Sequence, residues 1–447
     1  MPRALVYTIY NLLLPLALLI GLPSFLIKGI RRGGLARNFR QRLGFFREET
    51  LAKFREKEPI WIHAVSVGEV FIALKIIEEI REQSPGVSMV LSTTTTTGYR
   101  VAEEKEAEDL TVIHNPVDLP FVTSRVIRLI SPSRLVLIEA EIWPNLVRQL
   151  KKRSVPVLLI NARLSPRSEI RYKKVLPLIE PVFSLVDGVT VPFEADIDRW
   201  SGLGIDSEKI SVLGSVKFDQ PANAAQEAQV AELRLWLEST GMPPDNRVIL
   251  GGSTHPGEEI VLNEVVGSLR DEFSNLALVV VPRHAERGGE IARQLSDAGA
   301  NPVLRVANDL DLSDDVSKPR VWIANTTGEL RSWYSLAEAV FVGKSFCAVG
   351  GQNPVEPVLA GKPVIVGPRM ENFLDVVNDL LATDGLIQIN EENTEALIES
   401  FRKILSEPEL GKSMAQRGAK AMARHKGATE RNVRFILDHP MIEKPAA

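Results

Sequence analysis

The sequence predicts an α/β protein of two doubly wound domains, each a parallel β-sheet covered by helices, preceded by an apolar N-terminal helix. Three observations support this prediction. The chain has 447 residues, more than the roughly 250 to 300 at which a single hydrophobic core usually stops growing. Short apolar runs alternate with amphipathic helical segments in both halves. The first residues are apolar and uncharged over a length that could cross a bilayer.

The apolar stretch at residues 4–27 is rich in Leu and Ile, and as a helix it could cross a hydrocarbon core of about 30 Å. We interpret residues 1–30 as a membrane anchor, while Pro15 and Pro23 would bend the helix and leave a shallow insertion open. A cleaved signal peptide is the disfavoured alternative, because most charges follow the apolar run and no A-x-A site closes it. The basic residues that follow are Lys28, Arg31, Arg32, Arg37, Arg40 and Arg42. Such a cluster stays in the cytoplasm, where we expect the remaining chain to lie.

Charge and composition narrow the classes of function. The formal net charge is −4, so the chain has no general attraction for nucleic acid. A single cysteine, Cys347, excludes an internal disulfide framework and a cysteine-based zinc site. The six histidines lack the spacing of a metal-ligand pair. We therefore predict no nucleic-acid partner and no metal site.

The pattern along the chain predicts two βα series. Strands of the first are expected at 59–65, 87–92, 135–138, 155–160 and 189–191, with a helix at 70–82. Strands of the second are expected at 248–251, 277–281, 321–324, 339–342 and 363–366, with helices at 258–270 and 287–298. Residues 219–229 have no apolar periodicity and contain a proline, which indicates a connector. We place an N-terminal domain at 31–220, a C-terminal domain at 230–425 and a helical tail at 426–447, with the active site in the cleft between the domains.

The first candidate motif, Ser66-Val67-Gly68-Glu69, stands where the first predicted strand gives way to a helix. Gly68 allows a tight turn, and Glu69 projects at the carboxyl end of the strand. A carboxylate there suits a general base that takes a proton from an attacking hydroxyl in an inverting sugar transfer. The alternative is a structural glutamate that the helix dipole favours.

The second motif is the run Glu139–Asn145, EAEIWPN, at another strand end. Glu139 and Glu141 would point to the same face if the strand continued, and like charges so close need a cation or a polar ligand. They could orient acceptor hydroxyls, or one of them could form an internal salt bridge to Arg163.

Further motifs in the second half suit a phosphorylated ligand. Ser253 and Thr254 follow a strand, and the helix start at 257–259 offers backbone N–H groups for a phosphate or merely a helix cap. Nearby Gly343-Lys344-Ser345 is excluded as a Walker loop, because Glu338 replaces the first glycine.

Two more stretches suit a nucleotide. Arg283 and His284 after a strand could contact a base or phosphate, or form a solvated loop. In the run 350–356, Asn353 and Glu356 are three residues apart, so they would share one face of a helix. Glu356 could accept hydrogen bonds from both hydroxyls of a ribose, and a plain helix cap is the alternative.

Taken together, these stretches resemble the 3-deoxy-D-manno-octulosonic acid (Kdo) transferases of lipopolysaccharide assembly. The matching stretches are 66–69, 139–145, 161–163, 214–219, 252–259, 282–284, 327–330, 350–356 and 367–373. The chain departs from the family pattern at Ser215, Asn325 and Gln352, where Asn, Asp and His are usual.

The resemblance implies a GT-B fold and an inverting, metal-independent enzyme without a cofactor, whose partners are the donor CMP-Kdo, a lipid A precursor and the bacterial inner membrane. It implies Glu69 as the base and Glu139 or Glu141 as an acceptor-site carboxylate. The implied donor-site residues are Lys217, Ser253, Thr254, Arg283, His284, Gly328, Glu329, Leu330, Asn353 and Glu356. The alternatives are a nucleotide-sugar epimerase, which would need no membrane segment, another GT-B glycosyltransferase, or an anchored binding module.

Overall fold

The computed structural model describes residues 1–31, 39–55, 57–164, 166–219, 224–306 and 318–442. The chain divides into two compact units, Met1–Asp219 with His425–Ala447 and Gln220–Arg424. Each unit is organised around a seven-stranded sheet. Residues 32–38, which include Arg32 and Arg37, and residues 307–317, which include an Asp-x-Asp run at 309–311, lie outside the described residues.

The first sheet is parallel throughout, with the strand order β3-β2-β1-β4-β5-β6-β7. Its strands are β1 (Ile60–Ala64), β2 (Met89–Thr93), β3 (Leu110–His114), β4 (Arg134–Ile138), β5 (Val157–Ile160), β6 (Gly188–Val191) and β7 (Ile210–Val212). Every residue of β1 and β4 is buried, as expected for strands that are covered on both faces.

Successive side chains of β4 pack into two separate cores, because neighbouring residues of a strand point to opposite faces. Leu135 and Leu137 join one core, and Val136 and Ile138 join the other. The helices that precede β7, the last strand of this sheet, are α1 (Arg3–Arg31), α2 (Glu48–Phe54), α3 (Val67–Gln83), α4 (Thr96–Glu103), α5 (Pro120–Ile130), α6 (Pro144–Lys151), α7 (Pro166–Lys174), α8 (Leu176–Phe183) and α9 (Ala195–Ser201). The first core includes side chains of α5, α6 and α8, and the second includes those of α3 and α4.

The second sheet is also parallel and has the order β10-β11-β9-β8-β12-β13-β14. Its strands are β8 (Arg247–Thr254), β9 (Leu276–Pro282), β10 (Asn301–Leu304), β11 (Arg320–Ile323), β12 (Ala339–Val342), β13 (Val364–Val366) and β14 (Ile387–Gln388). Its helices are α10 (Ala224–Ser239), α11 (Glu258–Leu269), α12 (Gly288–Asp297), α13 (Leu330–Leu336), α14 (Val355–Leu359), α15 (Leu374–Leu381), α16 (Thr394–Ser406) and α17 (Pro408–Met422).

The last helix, α18 (Ala428–Asp438), returns to the first unit. Val433 and Ile436 pack into the core beneath α3. Asp219 fixes the start of the helix, because its carboxylate accepts hydrogen bonds from the N–H groups of Gly427 at 2.9 Å and Thr429 at 2.7 Å. Helix α18 is therefore part of the first unit's core.

These observations confirm the predicted fold class, two doubly wound parallel sheets with an apolar N-terminal helix. The predicted connector at 219–229 is wrong from Ala224 onward, because α10 begins there and packs Leu233 and Leu237 inside the second unit. Four strands, β3, β7, β10 and β14, were not predicted. Within α1, the segment Arg3–Gly21 has the length and hydropathy of a helix that could cross a membrane.

Candidate active site

Both sheets have a topological switch point, where the chain reverses the direction in which it adds strands. In the first sheet this point lies between β1 and β4, and in the second between β8 and β12. Ligands of doubly wound sheets bind in the crevice beyond the carboxyl ends of such strands. The predicted motifs 66–69 and 139–145 follow β1 and β4, and the motif at 252–259 begins at the end of β8.

Glu69 lies in the first turn of α3, directly after β1. Ser66 is the N-cap residue, and its hydroxyl accepts a hydrogen bond from the Glu69 N–H at 3.3 Å. The Glu69 carboxylate turns back and accepts hydrogen bonds from the Val65 N–H and the Ser66 hydroxyl, both at 2.8 Å. Ser66 and Glu69 thus hold each other at the start of α3, and the Glu69 side chain is only 9% exposed. Each oxygen keeps a second lone pair for a ligand.

Glu139, the first residue after β4, adopts a left-handed backbone conformation with φ 64°. Such a conformation strains a residue with a β-carbon, so the surroundings must hold it. Its N–H donates to the Ile160 carbonyl at 3.0 Å, and its carbonyl accepts from the Arg163 N–H at 3.3 Å. Burial raises the pKa of the Glu139 carboxyl and the charge on Glu69 adds to this rise, while Arg163 and Lys217 oppose it.

Glu141 is exposed as a whole residue, but its carboxyl is partly buried. This burial raises the pKa of Glu141, and the charge on Glu69 raises it further. The charge on Glu69 thus acts on both Glu139 and Glu141. The structure brings the three predicted carboxylates of the first unit into one electrostatic cluster. Such a cluster favours a ligand that supplies hydroxyl groups or positive charge.

Lys217 stands exposed on a loop that two side chains hold in place. The Asn161 side-chain oxygen accepts a hydrogen bond from the Val216 N–H at 3.0 Å, and His425 Nδ1 accepts one from the Ser215 N–H at 3.0 Å. Asn161 directly follows β5 and has a φ of 54°. The predicted motifs at 161–163 and 214–219 therefore meet, and together they place a cation beside the carboxylate cluster.

His63, the fourth residue of β1, was not among the predicted site residues. Its Nε2 accepts a hydrogen bond from the Trp143 indole at 3.1 Å, so the ring proton lies on Nδ1, which reaches the Ser92 carbonyl at 3.1 Å and hydroxyl at 2.9 Å. Burial lowers the pKa of His63 to about 4. A neutral histidine thus anchors the loop that carries Glu139 and Glu141. A histidine in an otherwise apolar strand, IWIHA, was the available signal.

In the second unit, a buried carboxylate organises the switch point. Glu258, the first residue of α11, accepts hydrogen bonds from the N–H groups of His255 (2.8 Å), Lys344 (2.8 Å), Ser345 (3.0 Å) and Phe346 (3.1 Å). Its side chain is 1% exposed. These N–H groups serve an internal anion, so they do not form a cradle for a phosphate.

Thr254, predicted to bind the donor, uses its hydroxyl inside the unit instead. The hydroxyl donates to the carboxylate of Glu259 at 2.9 Å, and Arg287 pairs with the same oxygen at 2.9 Å. Thr254 and Glu259 are fully buried. The neighbouring Ser253 has a φ of 54° and is also buried.

Cations gather around His255 at the same edge. Burial lowers the pKa of His255, and the charges on Lys344, His284, Arg287 and Arg283 lower it further. The rings of His255 and His284 lie 6.2 Å apart, and both Arg283 and His284 are exposed. The residues around His255, which we call the cation cluster, are the two predicted donor contacts Arg283 and His284 together with Lys344 and Arg287. Its electrostatic field suits an anionic ligand.

Asn353 and Glu356 lie together, but not on one helical face. The helix α14 begins at Val355, so Asn353 precedes it, and its side-chain oxygen accepts a hydrogen bond from the Val355 N–H at 3.0 Å. The Asn353 amide donates to the Glu356 carboxylate at 3.1 Å. Burial, and then the charge on Glu356, raise the pKa of Tyr334.

Gly328, Glu329 and Leu330 form the start of α13, where Gly328 has a φ of 85°. The Glu329 carboxylate lies 3.6 Å from the guanidinium of Arg305 and accepts a hydrogen bond from the hydroxyl of Thr326. Glu329, predicted as a nucleotide contact, is thus paired within the unit.

Comparisons with known proteins identify related sequences. A family model described as 3-deoxy-D-manno-octulosonic-acid transferase (kdotransferase) matches residues 37–220. The 3-deoxy-D-manno-octulosonic acid transferase of Haemophilus influenzae is 30% identical over 398 residues, which cover 88% of this chain and 90% of the relative. The transferase of the same name from Bordetella pertussis is 31% identical over 388 residues, which cover 85% of this chain and 87% of the relative.

Among solved structures, the UDP-GlcNAc 2-epimerase of Neisseria meningitidis bound to UDP-GlcNAc is similar in fold, with a TM-score of 0.58 over 85% of this chain and 100% of that chain. Its sequence identity is 14%, so this likeness concerns the fold alone and agrees with the predicted GT-B architecture. Identity of 30% and 31% across most of both sequences, as in the two transferases above, establishes a family. The chain belongs to the Kdo transferase family of glycosyltransferases.

Proposed function

We propose that this chain transfers Kdo from CMP-Kdo to a lipid A precursor at the cytoplasmic face of a bacterial inner membrane, with inversion at the anomeric carbon and without a metal ion. Membership of the Kdo transferase family supports the reaction class. The single observation that carries the proposal is the carboxylate cluster at the switch point of the first sheet, where the charge on Glu69 acts on both Glu139 and Glu141.

Glu69 is the proposed general base. An acceptor hydroxyl attacks the anomeric carbon of Kdo, its proton passes to the Glu69 carboxylate, and the bond from that carbon to the CMP phosphate oxygen breaks. The electron pair of that bond leaves with CMP. The hydrogen bonds from Val65 and Ser66 support this role, because they fix the orientation of the carboxylate before the substrate arrives.

The cation cluster of the second unit is the proposed site for the CMP phosphate. The leaving phosphate gains negative charge as the bond breaks, and fixed cations stabilise that charge without rearranging. Arg283 supports this assignment best, because it is exposed and its guanidinium can bind a phosphate through two parallel hydrogen bonds. Glu356 remains the proposed partner of the ribose hydroxyls.

The test uses the purified full-length chain with CMP-Kdo and a lipid A precursor, and mass spectrometry of the lipid product. We expect Glu69→Gln to lower turnover by about 10²- to 10⁴-fold, the range for loss of a general base, while CMP binding measured by calorimetry stays unchanged. Glu78→Gln is the matched control, because Glu78 is an exposed carboxylate on the same helix. Wild-type turnover in Glu69→Gln would remove Glu69 from the mechanism.

Two further measurements test the finer parts of the proposal. NMR of the product reports the configuration at the anomeric carbon, and a retained configuration would contradict a single inverting step. Turnover in excess EDTA tests the metal-independent reaction, and we expect no loss of rate. Loss of turnover that added Mg²⁺ restores would contradict this expectation.

A further inference from the structure

The first turns of α1 are part of the folded core of the first unit. Val6 and Tyr7 are 4% and 1% exposed and pack in the core cluster that also contains side chains of α5, α6 and α8. The guanidinium of Arg148 lies over the Tyr7 ring at 4.4 Å from its centre. The beginning of the apolar stretch is therefore not free to enter a bilayer while the unit keeps this packing.

Polar contacts fix the next turn of α1 to the same unit. The Tyr10 hydroxyl donates to the Asp118 carboxylate at 2.9 Å. The amides of Asn11 and Asn145 exchange hydrogen bonds at 2.7 and 3.3 Å. Asp118 also accepts from the Asn145 N–H at 2.9 Å, so α1 and the start of α6 share one buried carboxylate. Asn11 thus marks the last residue with a polar contact to the unit before the helix becomes exposed.

The middle of α1 is apolar and uncovered on all sides. Residues 15–21 are all exposed, and the large side chains there include Leu16 at 55%, Leu19 at 66% and Ile20 at 81%. A run of exposed leucines of this size in a folded chain marks a surface that lies against another apolar phase. In the sequence, Lys28 and Arg31 follow this apolar run, a charge pattern that complements anionic lipid headgroups.

The chain then returns to the same unit. Gln41 and Arg42 are 8% and 7% exposed. The Gln41 side chain accepts a hydrogen bond from the His114 N–H at 3.1 Å, and Arg42 donates to the Thr94 carbonyl at 2.7 Å. Both flanks of the apolar helix are thus bound to one folded unit, at Asn11 and at Gln41.

We propose that α1 inserts into the lipid bilayer from one side without crossing it, so that both of its ends stay on the side of the first unit. This inference rests on the membrane attachment in the proposed function and adds its topology. If the helix crossed, the nine residues 32–40 would have to return through the hydrocarbon, and fully extended they span only about 30 Å. Arg32, Arg37 and Arg40 would enter the membrane with them, together with backbone groups that have no hydrogen-bond partners there.

The test uses cysteine labelling in inverted inner-membrane vesicles from bacteria that express the full chain. Cys347→Ser removes the single natural cysteine, and single cysteines are then introduced by Pro2→Cys, Leu19→Cys and Arg47→Cys, all at exposed positions. A membrane-impermeant maleimide is added with and without detergent. Flotation of the vesicles is measured first, to establish that the chain is attached.

We expect equal labelling at positions 2 and 47 without detergent, and at least about tenfold less labelling at position 19 until detergent is added, because a leaflet shields it. Protection of position 2, or of a cysteine introduced by Arg31→Cys, until detergent is added, together with labelling at position 47, would show a crossing helix and overturn the inference alone. A chain that does not float with the vesicles would overturn the membrane attachment itself, and with it this inference. Transfer activity on a dispersed lipid acceptor tests the proposed reaction separately.

Discussion

His63 offers a quantitative test of how the carboxylate loop is held. The ring is 1% exposed, and its Nε2 must stay unprotonated to accept the hydrogen bond from Trp143. Burial lowers its pKa to about 4 from an ordinary value of 6.5. The folded chain therefore protonates His63 less readily than the unfolded chain does. The contribution of neutral His63 to the stability of the fold is present above pH 6.5 and is lost as the pH falls toward 4.

The difference of about 2.5 pH units corresponds to about 3 kcal/mol when the loss is complete. Between pH 7.5 and 5.0 the linkage relation gives a loss of about 2 kcal/mol, because the unfolded histidine is then almost fully protonated and the folded one is not. His63→Gln removes the titration and keeps a side-chain oxygen that can accept from Trp143. We therefore expect the variant to lose about 2 kcal/mol less than the wild type over this pH range.

Urea unfolding of the full chain at the two pH values, followed by tryptophan fluorescence, measures this difference. His284→Gln is the control, because it makes the same change at an exposed histidine in the second unit. The control should follow the wild type. If His63→Gln lost as much stability as the wild type between pH 7.5 and 5.0, the neutral, proton-excluding role of His63 would be refuted.

Two further predictions concern carboxylates that accept hydrogen bonds from backbone N–H groups. Glu258→Gln should destabilise the second unit by about 1 to 3 kcal/mol, because an amide cannot accept hydrogen bonds from all four N–H groups. Urea unfolding measures the loss, and the control is Glu264→Gln, at an exposed residue of the same helix. Equal stability of the two variants would contradict it. Asp219→Ala should lower the free energy of unfolding by about 1 kcal/mol, because the start of α18 loses its cap. The thermal midpoint should fall, and an unchanged midpoint would contradict the capping role.

The central strands of both sheets were predictable because they are continuous apolar runs buried on both faces. The four strands that escaped prediction, β3, β7, β10 and β14, are the outermost strands of the two sheets. An edge strand pairs on one side only and is often short or polar. Here β14 has two residues, β10 contains a proline and β3 contains a threonine and a histidine.

The candidate site was predictable in position and less so in contacts. Polar residues after apolar runs indicated the carboxyl edges, where Glu69, Glu139 and Arg283 indeed stand. The partners that hold these edges come from distant parts of the chain. Glu258 binds a backbone N–H group 86 residues away, and Trp143 donates to a histidine 80 residues away. Local pattern carries no information on such pairs, since only the folded sheet order brings them together.

Backbone strain points to the same edges as the chemistry does. Of the eight described residues other than glycine that have a positive φ, four stand at or just beyond the carboxyl ends of β4, β5, β8 and β12. They are Glu139, Asn161, Ser253 and Lys344, whereas the other four lie elsewhere in the chain. Each such residue costs roughly 1 to 3 kcal/mol, which the surrounding hydrogen bonds must offset. Glu258 does this for Lys344 through the Lys344 N–H, and the Ile160 carbonyl does it for Glu139. Strain kept at both switch points, and fixed there by dedicated partners, is what a pair of preorganised binding edges requires.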